Sequence, residues 1–381
     1  MLISATRIHD GLGWMPRGTV LEVADDGSIA AIHDDVPEEE VTYYDGIICP
    51  GFVNVHCHLE LSHMKGAVPE KTGLVPFLEQ VNSTRNNYTE EQKITARHKA
   101  FKELQEKGIV AIGDITNTSD TQDLRVQNKM HFHSFVESIG FTDSPQRQFD
   151  YAMAVYHAFC AQKQEGKLLN QSIVPHAPYS VSEQLFALID GFEKDSLLSI
   201  HNQECAAEDE YYKEKKGAFQ SMLHGMGIDD NFFKPSNKSS LATYSGWLSN
   251  SHPVILVHNT YSTGEDIKQT EQKFNELYWC LCPNANMYIE NRLPDISLLR
   301  DSTICIGTDS LASNHQLSIL AELQTIKKNY LAADWDDLLK WATYNGAKAL
   351  QMDNEIGSIE VSKKPGLLLI KDLSKDEVVV L

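Results

Sequence analysis

Short apolar runs alternate with longer stretches of helical rhythm through the middle of the chain. The runs are Ile47–Val55, Ile109–Ile115, His131–Val136, Gln171–Pro175, Leu197–Ile200, Val254–Val257, Tyr278–Leu281 and Thr303–Gly307. Between them, Thr89–Glu106, Phe149–Gln164, Ser182–Phe192, Gly264–Asn275 and Gln316–Leu331 carry amphipathic helical patterns. Strand and helix alternating in this way predict an α/β fold, a (β/α)8 TIM barrel. The two ends read differently. Leu2–Thr6, Thr19–Val23 and Ile29–His33 are strand-like and broken by Asp10-Gly-Leu-Gly and Asp25-Asp-Gly. The last residues repeat the style, with Gly357–Val361, Leu367–Ile370 and Val378–Leu381. Neither end can bury a core alone. The expectation is one composite β-sandwich domain, residues 1–48 with 346–381, around a barrel domain at 49–345. Residues 208–244 make a long connection rich in aromatics, and in a barrel such a segment sits over the site as a cap.

Composition narrows the class. The 381 residues are 42% hydrophobic and 23% charged, which is globular rather than disordered. Fifty-three acidic against 33 basic residues give a charge of −20, without the clustered cations that phosphate contact needs. No apolar run nears the ~20 residues of a membrane helix, and Met1–Ile8 lacks a secretory pattern. Seven cysteines at irregular spacing argue against a disulfide framework, so a cytoplasmic protein is expected. Small-molecule substrate and water are the expected partners, with no nucleic acid and no membrane; a homo-oligomer is left open.

Fifteen histidines are the feature that asks for chemistry. Barrel active sites lie at the C-terminal ends of the strands. Run one ends in His56-Cys-His58, run four in His176, run five in His201-Asn-Gln-Glu204, run six in His258 and run eight leads to Asp309. Residues i and i+2 of a strand face one side, so His56 and His58 can meet one ion. With His201 and Asp309 they make three nitrogens and one carboxylate, a set that suits Zn²⁺ or Fe²⁺ with a position open for water. Glu204 follows His201 closely enough to move a proton of that water. His258 and His176 could steady the nucleophile or touch substrate, although a lone histidine beside apolar residues is more often a core residue. Cys57 points away from the ion and reads as a small core residue.

The set of motifs resembles the amidohydrolase superfamily, and within it the metal-dependent aminohydrolases and chlorohydrolases. The likeness is carried by Pro50-Gly-Phe-Val-Asn-Val-His-Cys-His58, Lys65-Gly66, Pro175-His-Ala-Pro-Tyr-Ser180, His201-x-x-Glu204, Cys282-Pro-x-x-Asn286 and Gly307-Thr-Asp-Ser-Leu-Ala-Ser-Asn314. Ala342-Thr, Asn345-Gly-Ala and Ile356-Gly-Ser-Ile continue it. The resemblance implies a barrel with a composite β-domain. It implies His56, His58, His201 and Asp309 as metal ligands, Glu204 as proton shuttle, His258 beside the attacking water and His176 on the substrate. Run four ends without the lysine that two-metal members use, which implies one divalent ion, zinc first and iron second. The stretch His58-Leu-Glu is similar to the aminodeoxyfutalosine deaminase branch. It and Met287–Pro294 depart from the guanine, cytosine and triazine members, which makes Glu60, His63, Asn291 and Arg292 candidate substrate contacts. The implied activity is hydrolytic deamination of an adenine-nucleoside derivative such as aminodeoxyfutalosine. The alternatives are S-adenosylhomocysteine or adenosine deamination, a chlorohydrolase-type ring hydrolysis, and a silent scaffold with the same fold.

Overall fold

The computed structural model describes residues 1–34, 36–126 and 129–381. Its first strands are β1 (Leu2–Ile8), β2 (Val20–Val23), β3 (Ile29–His33) and β4 (Thr42–Cys49). Eight more follow: β5 (Phe52–Cys57), β6 (Ile109–Thr116), β7 (His131–Ser138), β8 (Leu169–Pro175), β9 (Leu198–Asn202), β10 (Val254–His258), β11 (Leu277–Leu281) and β12 (Ile304–Ile306). The chain ends with β13 (Leu368–Ile370) and β14 (Val378–Val380). The run expected as one strand over 47–55 is two. Pro50 has no N–H to give a ladder, and Gly51 N–H instead reaches the Pro365 carbonyl at 2.9 Å, so β4 and β5 part company there.

β5–β8 form one parallel four-stranded sheet and β9–β12 a second. Hydrogen bonds join the two at both seams. His201 N–H donates to the His176 carbonyl at 3.1 Å, and the N–H groups of Thr308 and Asp309 both donate to the His56 carbonyl at 3.0 Å. Asn54 reinforces the second seam: its amide donates to the Thr308 hydroxyl at 2.8 Å and accepts the Thr308 N–H at 3.1 Å, across 254 residues of chain. The result is the α/β barrel architecture with a continuous C-terminal rim. Its interior is tight. A Cβ at Gly113 would lie 2.1 Å from the Val55 carbonyl oxygen, and one at Gly307 would lie 2.8 Å from His56 Cβ. Both positions therefore demand glycine for space alone.

The strands are apolar on both faces because helices cover the outside. Thr89 caps the helix Glu90–Glu106 through a reciprocal box with Gln92, and that helix buries Ala100, Phe101 and Leu104. Ser182 caps Glu183–Asp190, which buries Leu185, Phe186 and Ile189. Thr263 caps Gly264–Lys273 with Asp266. The capping side chains satisfy N–H groups that a helix start leaves orphaned, and they set these starts within a few residues of the expected ones.

The strands from both ends share one sheet, ordered β14-β13-β4-β1-β2-β3. β13 stitches the C-terminus to the N-terminal strands by pairing antiparallel with β4, Leu368 opposite Cys49 and Ile370 opposite Ile47. The sheet has its own core, including Ile3, Leu21, Ile29, Ile48 and Leu369. Residues 357–361 form no strand; Ile359 instead anchors its turn in that core through an N–H bond to the Asp10 carbonyl at 2.7 Å. Among the described residues no helix is long and apolar enough to cross a membrane.

Candidate active site

Four buried side chains meet at the C-terminal rim. His56 and His58 sit at the end of β5, His201 near the end of β9, and Asp309 just past β12. His58 Nε2 lies 3.2 Å from His56 Nε2 and 3.3 Å from His201 Nε2. Asp309 Oδ1 lies 3.4 Å from His58 Nε2 and 3.7 Å from His56 Nε2. His201 Nδ1 donates to the His176 carbonyl at 2.7 Å, which fixes the proton there and leaves the Nε2 lone pair facing the cluster. Protons cannot satisfy such a set, because several lone pairs and a carboxylate point at one locus.

A cation can. Four ligands held at about 2.0–2.1 Å from a tetrahedral zinc ion stand about 3.3–3.4 Å from one another, close to the spacing of these nitrogens. The proton affinities agree with this donor role. Burial, then the neighbouring imidazoles, hold His56 and His58 well below the ordinary histidine value. Burial lowers His201 to about 4. The same burial raises Asp309 to about 6, opposed by the Ser313 hydroxyl, which donates to its Oδ2 at 2.5 Å. The cluster therefore suits one divalent ion bound by neutral imidazoles and a carboxylate.

Left-handed backbone aims these groups. Gln203 (φ 43°), His258 (φ 74°), Asn259 (φ 59°) and Asp309 (φ 57°) all turn the chain sharply at strand ends. Non-glycine residues rarely adopt this region, and where they do the surroundings must hold them. Asn259 is held by its N–H to the Asn202 carbonyl at 3.0 Å and by its amide to the Leu256 carbonyl at 2.9 Å. The turn at Gln203 brings Glu204 into the cavity, where its Oε1 lies 3.7 Å from His258 Nε2. Burial, then Asp309, pushes the Glu204 carboxyl well above the ordinary range.

The rim opens into a cavity of about 980 Å³. That is the upper end of the usual ~300–1,000 Å³ for ligand pockets. Its floor is His58, His176, His201, Glu204, His258 and Asp309. One wall is the helix Leu74–Thr84, through Phe77 and Val81. The roof is the long connection after β9, through Met222, Leu223 and Phe232. That connection folds as Ala206–Glu214, Ala218–Gly225 and Ser240–Tyr244, so it does cover the site. Tyr179 and Phe219 stack at 4.3 Å and the Tyr212 hydroxyl donates to the Pro178 carbonyl at 2.9 Å, pinning it to the rim.

A sequence model of the amidohydrolase family matches residues 47–381. The chain belongs to the amidohydrolase family. Among curated relatives of this amidohydrolase, an adenosine deaminase of Helicobacter pylori is 26% identical over 339 residues, covering 85% of this chain and 79% of the relative. An aminodeoxyfutalosine deaminase of Nitratiruptor sp. is 25% identical over 332 residues, covering 86% and 79%. Among solved structures, the Helicobacter pylori aminofutalosine deaminase in complex with methylthio-coformycin superposes with a TM-score of 0.81 at 23% identity, covering 96% of this chain and 91% of that one. That likeness is one of fold.

The remaining expected substrate contacts divide. Glu60 lines the cavity; its Oε2 accepts the Asn117 N–H at 3.2 Å and the Thr116 hydroxyl at 3.4 Å. His176 lines it too, its Nδ1 2.6 Å from the Ser180 hydroxyl. His63, Asn291 and Arg292 are not brought there. His63 Nε2 donates to the Arg85 carbonyl at 3.0 Å and its ring packs on Tyr88. Arg292 is exposed and lies over the Tyr261 ring at 4.3 Å, and Asn291 is exposed beside it. Instead Arg85, Asn117, Glu137 and Phe141 line the cavity. For Glu137 a signal existed in the sequence: it stands one residue beyond the apolar run of β7, where the strand-end rule places functional groups.

Proposed function

We propose that this amidohydrolase hydrolytically removes the 6-amino group of an adenine nucleoside carrying an extended 5′ substituent, with aminodeoxyfutalosine the best single candidate. The observation that carries the reading is Glu204 beside His258 in a cavity at whose base lies a His56–His58–His201–Asp309 cluster. The named relatives act on adenosine and aminodeoxyfutalosine. The size of the cavity and its apolar far wall favour the larger of these.

His56, His58, His201 and Asp309 would hold one divalent ion, zinc first. When bound, the ion would supply Lewis acidity that makes a water nucleophilic near pH 7. Glu204 takes a proton of the attacking water as the water oxygen bonds to C6 of the purine, and delivers it to the adjacent ring nitrogen. It then carries the remaining hydroxyl proton to the amino group, the C–N bond breaks, ammonia leaves and the ring keeps a carbonyl. Burial suits Glu204 to this exchange, because an acid–base group works best with a pKa near the working pH. His258 faces Glu204 and steadies the attacking oxygen, and His176 contacts the ring.

The test is ammonia release from a panel of 6-aminopurine nucleosides, guanine, cytosine and an s-triazine, with zinc- or iron-reconstituted protein. Turnover of the nucleosides with 5′-extended members preferred is the expected result. Turnover confined to the non-nucleoside rings, or none at all, would overturn the reading.

A further inference from the structure

Glu137 is a buried carboxyl to which none of the described residues donates a hydrogen bond. It is the last residue but one of β7, its side chain is 4% exposed, and it lines the cavity. The His201 Nδ1 lies 3.4 Å from it, but that proton already goes to the His176 carbonyl at 2.7 Å. A carboxyl group offers several lone-pair sites, so nearly all of the accepting capacity of Glu137 faces the cavity unused. Buried acceptors are normally satisfied, and an exception in a cavity points to a ligand group that satisfies it.

The chemistry of that group follows from the neighbours. Glu137 meets the Nδ1 end of the His201 ring, whereas the Nε2 end faces the ion cluster. Glu137 therefore stands off the reacting locus. A second cation is a poor occupant. His176 and His201 are the other candidate ligands within reach of Glu137, but the Nδ1 of His201 donates to the His176 carbonyl and its Nε2 faces the ion cluster, which leaves only His176 to join Glu137. The Arg85 guanidinium also lines this wall, reaching Glu60 at 3.9 Å. A neutral ligand with several O–H donors fits better, read by Glu137 with Arg85 and Asn117 beside it. A nucleoside whose 6-amino carbon sits at the ion cluster presents such donors at the far end of its purine, on the sugar.

We propose that Glu137 is the sugar-reading residue, its two oxygens accepting the 2′- and 3′-hydroxyls of the substrate ribose, so that the cavity selects ribonucleosides over forms lacking the diol. This rests on the nucleoside reading above. Glu137 positions the substrate and takes no part in proton transfer.

The experiment compares ammonia release from adenosine and 2′,3′-dideoxyadenosine by the metal-loaded wild type and Glu137→Gln, with metal content measured on both. The wild type should prefer adenosine by at least about 100-fold in kcat/KM, since a site built for a hydroxyl rejects the analogue lacking it. Glu137→Gln should lose most of that preference through a higher KM for adenosine. Its metal content should stay within about twofold of wild type, a smaller change than losing a ligand's outer partner brings, and its turnover of dideoxyadenosine should fall far less than its turnover of adenosine. Equal use of both nucleosides by the wild type overturns the role of Glu137 and leaves the deaminase reading standing, whatever the variant does. Retained preference in the variant, or loss of metal with loss of both activities, overturns it in favour of a group that orients His201. Failure of the wild type to deaminate either nucleoside, while guanine or a triazine is turned over, overturns both.

Discussion

The floor of the cavity consists of strand ends, and its roof of helices inserted between strands. On the floor, six polar side chains crowd around one locus, buried, mutually constrained and reached through left-handed turns at Gln203, His258, Asn259 and Asp309. In the roof and wall, Phe77, Val81, Phe141, Met222, Leu223 and Phe232 offer apolar contact with no comparable network. The floor fixes what reaction is possible. The roof fixes how much of a substrate can be accommodated. A barrel separates these tasks because strand ends are held by two neighbours each, while connecting segments can lengthen without disturbing them.

Mutations should break along the same line. On the floor, Glu204→Gln should keep its metal and lose turnover by about 10²–10⁴-fold, the range of a general acid–base group; steady-state ammonia release with metal analysis measures both. His201→Ala should weaken metal binding by more than about 100-fold, beyond what outer-shell changes do. Titration with a competing chelator reads this, and unchanged affinity would remove His201 from the ligand set. In the wall, Phe141→Ala should raise KM for a 5′-extended nucleoside by about tenfold, within the range for lost apolar contact. Its kcat should hold, and an equal fall in kcat would blur the division between floor and roof. Outside the cavity, Arg292→Ala should leave kcat/KM within about twofold, as surface changes of about 0.5 kcal/mol do.

The two regions also differed in how far the sequence announced them. His56, His58, His201, Glu204, His258 and Asp309 could be grouped from sequence because a buried parallel strand is a compact apolar word with its functional residue as the last letter. Amphipathic rhythm placed the helices within a few residues, and the caps at Thr89 and Ser182 are what set their starts. Pro50 marked the break between β4 and β5, yet the apolar run around it hid the change of sheet. The wall was harder. Arg85 sits at the end of a helix whose start, Leu74-Val-Pro-Phe, has no side-chain cap, and its place in the cavity depends on the tilt of that helix. Nothing local separates Glu60, which faces the cavity, from His63 three residues on, which packs against Tyr88. Asn291 and Arg292 were drawn in by their departure from related motifs, but the turn at Asn291 (φ 49°) leaves both exposed.

The bridge from Asn54 to Thr308 has a consequence for how the protein is made. The groups that converge on the ion cluster come from the first, fifth and last strands of the barrel, so they cannot all meet until nearly the whole barrel has left the ribosome. Long-range closures of this kind are slow, because the entropy of bringing distant segments together is lost before any contact rewards it. A nascent chain can present His56 and His58 early, but only as a loose pair open to any passing soft metal. Selectivity for the right ion is therefore a property of the finished ring, and the ion should be among the last components to arrive.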